Sequence, residues 1–151
     1  MWRMRRPALV LGVLAALVLP GSHALAAGSP AAKKQLVRTW SERLNAGDYA
    51  GTARLFSLPA AFVQGGTVLE LRSYRDVARW HGGLPCAGRI TSITVKGDFA
   101  TVVFVLAHRK GSRCDAPGQK AAAIFQIKGG KIRAWAQIPV PEPAKPPRPV
   151  A

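Results

Sequence analysis

Apolar side chains recur at helical spacing early in this chain and alternate with polar ones later. Leu36, Val37, Trp40 and Leu44 share one face of a helix expected from Lys33 onward, and Asn45-Ala46-Gly47 ends it. Asp48 suits the N-cap of a second helix, with Tyr49, Ala53, Leu55 and Phe56 as its apolar positions and Ser57-Leu58-Pro59 as its stop. Short strands are expected over residues 61–64 and 67–71, joined by Gly65-Gly66. Ser73 opens a third helix with Asp76 in its first turn. Val77, Trp80 and Tyr74 form its buried side, and Gly82-Gly83 ends it.

Two hairpins follow. Residues 89–96 and 99–108 are rich in Ile, Val, Thr and Phe around Gly97-Asp98. Residues 121–128 and 131–138 flank Gly129-Gly130. Three helices followed by antiparallel strands predict an α+β domain with the helices packed on one face of a curved antiparallel sheet.

The ends of the chain read differently. Arg3, Arg5 and Arg6 precede an uncharged apolar run over residues 8–19. Pro20-Gly21 breaks the run, and Ala24-Leu25-Ala26 has the small-x-small pattern of a cleavage site. Residues 1–26 are therefore expected to be a signal peptide. No cysteine follows the cleavage site as a lipid acceptor, so the protein is expected to be secreted or periplasmic. Residues 27–32 read as a flexible lead and 33–138 as the domain. The proline-rich stretch 139–151 reads as an extended, disordered tail.

Composition adds charge and one covalent link. The chain of 151 residues carries +15, and removing the three signal arginines leaves +12. Such a surface attracts anionic envelope polymers or lipid. The cations are scattered and form no motif for specific nucleic-acid binding. Outside the cytoplasm, Cys86 and Cys114 read as one disulfide, and closing that loop contributes ~3.6 kcal/mol in the chain-entropy model. Two cysteines and two mature histidines lack metal-ligand spacing, and no nucleotide-binding loop is present, so no cofactor or metal is implied.

Three segments together carry a family resemblance. They are Trp40 with Leu44-Asn45-Ala46-Gly47-Asp48-Tyr49 and Leu55-Phe56, then Ser73-Tyr74-Arg75-Asp76-Val77, and last the hairpin from Phe125 through Gly129-Gly130-Lys131-Ile132 to Trp135. Their order resembles the NTF2-like superfamily, which includes SnoaL-like polyketide cyclases, ketosteroid isomerases and non-enzymatic binding domains. The resemblance implies a cone-shaped α+β fold over residues 33 to about 138. Many enzymes of that family place an acid just after the second helix. Here residues 57–65 contain neither Asp nor Glu, so the carboxylate that would move a proton beside a carbonyl has no counterpart there.

With Gly97-Asp98 as the turn, strict alternation puts Val95, Ile93, Thr91 and Arg89 on one face with Ala100, Val102, Phe104, Leu106 and His108. The same rule places Ala123, Phe125, Ile127, Ile132, Ala134 and Ala136 on the inner face of the second hairpin. The expected site is an apolar pocket lined by Trp40, Tyr49, Phe62, Trp80, Phe104 and Phe125, with Arg89 and His108 at its mouth. The same aromatics could equally fill a core. His108 and Asp115 are the weak catalytic candidates, against readings as a strand-end histidine and a turn former. His81, beside Gly82, reads as a cation at a helix C-terminus.

These features point to an exported, non-catalytic binding or accessory domain. It would hold a small apolar or amphipathic ligand or a protein partner, or form a homodimer through its sheet. The alternative is a small isomerase, cyclase or dehydratase using His108 or Asp115.

Overall fold

The computed structural model describes residues 26–142. The expected signal peptide, apart from its last residue, and most of the expected proline-rich tail lie outside these. Among the described residues no helix is long and apolar enough to cross a membrane.

Helix α1 spans Pro30–Asn45, three residues earlier than the apolar spacing suggested. Ser29 caps it, accepting the Ala32 N–H at 3.1 Å, and Pro30 occupies the first turn, where its missing N–H costs nothing. Half of the expected lead is therefore helix. Helix α2 covers only Tyr49–Ala53, capped by Asp48. It stops before Leu55, and Phe56 already belongs to strand β1, Phe56–Gln64. Pro59 does not end a helix. It lies inside β1, between the pairs that Phe56 and Ala61 make with the last strand, where the register shifts and no partner asks for its N–H.

Strand β2 is Thr67–Leu71 and helix α3 is Tyr74–Gly82, capped by Ser73. Tyr74 points outward rather than into the core. The two hairpins are β3 (Ala87–Lys96) with β4 (Phe99–Ala107), and β5 (Lys120–Lys128) with β6 (Lys131–Ile138).

Six strands form one sheet in the order β2-β1-β6-β5-β4-β3, antiparallel except for the β1–β6 pair. The helices cover its inner face, with α1 against β3 and β4 and α2 against α3. The architecture is the expected α+β layout, with one parallel pairing inserted.

Two bulges set which side chains reach the interior. In β3 the register shifts between Ile90 and Ser92, leaving Thr91 unpaired. Val95, Ile93, Ile90 and Gly88 consequently face inward, while Thr91 and Arg89 are exposed. In β6 the shift falls at Arg133, between the pairs Ile132–Ile127 and Ala134–Gln126. Trp135 thereby turns inward opposite Phe125, and Ala134 and Ala136 go to the outer face. In both strands one extra residue inverts the alternation beyond it.

The outer face carries the row Val68, Val63, Ala136, Ile124, Thr101, Thr94 across all six strands without a charge.

Candidate functional site

The interior is organised around His81, on the last turn of α3 and fully buried. The Trp40 indole can only donate, and its Nε1–H lies 2.9 Å from His81 Nε2. That nitrogen must therefore accept, which places the proton on Nδ1, 2.8 Å from the Val77 carbonyl. The ring is neutral. Burial lowers its pKa to about 4, the Val77 hydrogen bond opposes the shift, and the charge of Arg109 adds to it. His81 is thus not a cation capping α3, as its position beside Gly82 suggested, but a hydrogen-bonded member of the core.

Arg109 takes the capping role instead. Its Nη2 donates to the carbonyls of Gly82, at 3.1 Å, and of Leu84. Its guanidinium stacks 5.2 Å from the centre of the Tyr49 ring. Arg109 is buried, and its Nε and Nη1 have no partner among the described residues.

Aromatic rings pack tightly around His81. Phe56 stacks on Phe62 at 5.1 Å, Phe62 meets Trp80 at 4.4 Å, and Trp135 meets Trp80 edge-on at 4.8 Å. Trp40 contacts Phe125 edge-on at 4.9 Å. These separations are in the favourable range for aromatic pairs and leave this half of the cone closed.

On the far side of Trp40 the side chains become small. A cavity of about 500 Å³ opens there, walled by Trp40, Leu44, Phe104 and Trp135 and floored by Gly88, Ala121, Ala122 and Ala123. Gly88 has a definite role: a Cβ at this position would sit 3.0 Å from the Phe104 ring. Asn45 and Ser41 hold this glycine. The Asn45 amide donates to Gly88 O at 3.0 Å and accepts Gly88 N–H at 3.1 Å, while Ser41 Oγ donates to the same carbonyl at 3.2 Å. Asn45 thereby acts as an extra strand partner that ties β3 to α1. The Trp135 indole N–H is buried without an acceptor among the described residues.

Leu84, Pro85, Cys86, Asp115 and Gln119 form the mouth. The Cys86–Cys114 disulfide joins the exit of α3 to the loop that enters β5. The Asp115 carboxylate lies 3.3 Å from Cys86 Sγ, a contact rather than a hydrogen bond because a disulfide sulfur carries no proton. Cys86, Cys114 and Asp115 are the one His/Cys/Asp/Glu cluster among the described residues, and the bridge uses both sulfurs that a metal would need as thiolates.

The expected pocket residues do not all meet in the cavity. Trp40 and Phe104 line the cavity. Phe62 and Phe125 are core, Trp80 borders a shallower surface depression with Asp76 and Arg79, and Tyr49 packs under Arg109. Arg89 and His108 do not line the cavity. The bulge turns Arg89 outward, and His108 lies past the end of β4, its Nδ1 accepting the Cys114 N–H at 3.0 Å. Asp115 does reach the rim. Trp135, Gly88, Asn45 and Gln137 line the cavity without having been expected there. Trp135 had a signal: Ile132 and Trp135 lie three apart, an odd interval that two inward residues of one strand can share only across a bulge.

No family model matches the sequence, and no curated protein matches it. Solved structures do resemble it. A candidate polyketide cyclase from Sinorhizobium meliloti superposes with a TM-score of 0.58 at 18% identity, covering 69% of this chain and 94% of that one. An NTF2-like protein of unknown function from Cytophaga hutchinsonii gives 0.55 at 11% identity over 70% and 87%. A protein of ketosteroid isomerase-like fold from Catenulispora acidiphila, in complex with trimethylamine, gives 0.55 at 17% over 69% and 84%. At these identities the likeness establishes the fold, and that fold is NTF2-like.

Proposed function

We propose that this chain is an exported binding domain that holds a small, neutral, apolar or amphipathic molecule in the alanine-floored half of its cone. The cavity of about 500 Å³ carries this reading. Its walls are indole, phenyl and aliphatic, which reward apolar surface. Its polar groups sit at the rim, apart from Ser41 and Asn45, which are engaged with Gly88, and the buried Trp135 N–H. The carboxylate that lines it, Asp115, lies exposed at the mouth rather than against the indole wall.

That rim carboxylate favours a second reading, proton transfer on a substrate whose reactive end remains at the mouth. Neighbours of this fold described as a candidate polyketide cyclase and as ketosteroid isomerase-like agree with it. Fold alone does not choose between the two readings.

Native mass spectrometry of the oxidised protein, taken from its exporting host and then mildly denatured, tests the binding reading. A reproducible added mass that leaves on denaturation supports it and gives the ligand's mass. A bare protein mass, in preparations that also fail to take up apolar probes of matching size, would overturn it.

A further inference from the structure

The end of the sheet that bears the β3–β4 and β5–β6 turns gathers cations from five elements. Lys96 leads into Gly97-Asp98, and Lys128 and Lys131 face each other across Gly129-Gly130. Arg54 caps the end of α2, and its carbonyl accepts from Lys131 Nζ at 2.7 Å. Lys34 belongs to the start of α1.

These elements are pinned to one another. Lys33 Nζ reaches Gly97 O at 2.6 Å and Asp98 Oδ1 at 3.0 Å. The Ile127 N–H donates to Asp98 O at 2.7 Å, and the Ile132 N–H to Leu55 O at 3.0 Å. Asp98 is the one carboxylate on these turns, and buried Lys33 already matches its charge. Five exposed cations therefore stand together, with none of them in an ion pair among the described residues.

Two further features belong to this end. Phe99, the first residue of β4, is 46% exposed and lies in register beside Lys96. The described chain also begins near here: a Cβ on Gly130 would sit 3.3 Å from Ala27 Cβ.

We propose that this end of the domain docks on an anionic lipid leaflet, the cations against headgroups and Phe99 in the interfacial layer. Clustered Lys and Arg draw a surface toward anionic lipid over about a Debye length, and an aromatic beside them adds an apolar contact at headgroup depth. An anionic polymer would satisfy the charges but offers Phe99 no apolar phase, so lipid fits both features.

Vesicle flotation tests it, using the chain that begins at Ala27, which carries every described helix and strand, with the disulfide formed. Binding is expected to phosphatidylglycerol-containing vesicles and not to pure phosphatidylcholine. It should fall at least about tenfold between roughly 0.05 and 0.5 M NaCl. The triple variant Lys96→Glu, Lys128→Glu, Lys131→Glu should abolish binding. Phe99→Ser should weaken it severalfold and leave its salt dependence intact.

The variant Arg89→Glu, Lys110→Glu, Arg113→Glu makes the same charge change at exposed positions elsewhere and should retain most of the binding. Thermal melts identify any variant that fails to fold, and Lys→Gln versions of the triple replace it in that case. Equal losses in both triple variants would overturn the proposal, as would absence of binding to anionic vesicles. Tight binding to soluble polyphosphate together with an inert Phe99→Ser would overturn it in favour of a polymer.

Discussion

Around His81 the inner face of the cone is filled, and beyond Trp40 toward the disulfide it is not. One sheet supplies both halves. Strands β1 and β6 contribute Phe56, Phe62, Ile132 and Trp135 to the filled half, all nearly or fully buried. Strands β3 and β5 contribute Gly88, Ala121 and Ala123 to the open half. The difference is one of side-chain volume on a common backbone. A cavity remains only where small residues face one another beside a disulfide-tied mouth, because interiors otherwise pack to crystal density.

The sharpest way to break this contrast is to empty the filled half. Phe62 has no exposed surface to speak of and touches Phe56, Trp80, His81 and Trp135. Phe62→Ala should cost about 3–5 kcal/mol, read from denaturant midpoints. A loss below about 1 kcal/mol would mean that this half is as loosely filled as the other.

The next effect comes from the proton that His81 excludes. Its pKa in the folded chain is about 4, against 6.5 for the free side chain. Above pH 6.5 the ring is neutral in both states and its contribution is complete. Between 6.5 and about 4 the unfolded chain takes up a proton that the folded chain refuses, so stability falls with pH, by about 3 kcal/mol over the whole interval. His81→Gln keeps an acceptor for the Trp40 N–H and removes the titration. Stability curves between pH 6.5 and 5, above the range where carboxylates protonate, should be steeper in the parent than in the variant. Equal slopes would place the titrating group elsewhere.

Much of this architecture was legible because the apolar period changes once and the caps are ordinary. Asp48 and Ser73 cap the helices that their positions suggested, and both Gly turns form hairpins of the expected register at the tip. The departures share one cause. Strict alternation was carried past Thr91 and past Arg133, where each strand holds an extra residue. That put Arg89 into the pocket and left Trp135 out. The spacing contained the correction: Ile90 and Ile93 are three apart, as are Ile132 and Trp135, and each pair is inward only if a bulge intervenes. Arg109 and His81 were less legible. Nothing local distinguishes a buried arginine that closes a helix end from a solvated one, and the partner of His81, Trp40, is 41 residues away.

A smaller effect compares the halves directly through one kind of substitution. Ala100 is fully buried against the core cluster, whereas Ala121 faces the cavity. Ala100→Leu should cost about 1–3 kcal/mol by overpacking, and Ala121→Leu should stay within about 1.5 kcal/mol of the parent because space exists for the added carbons. Ala121→Leu should nevertheless reduce retained ligand at least about tenfold, the equivalent of losing about 1.4 kcal/mol of binding. Equal destabilisation by the two substitutions would mean that the cavity closes in solution.

The smallest expected effect separates the two functional readings. His108 is held outside the cavity by the Cys114 N–H, and Asp115 touches it only at the rim. If the cone only binds, a neutral apolar ligand gains little from either group. His108→Ala and Asp115→Asn should then leave ligand retention within about threefold, since exposed polar contacts contribute little net free energy. If Asp115 moves a proton, Asp115→Asn keeps the shape and hydrogen-bonding reach of the side chain but removes the base. Turnover of the bound molecule should then fall at least about a hundredfold while the molecule is still retained. Retention and turnover measured on the same variant therefore part the readings. A binder shows no turnover to lose, and an enzyme loses it without releasing its substrate.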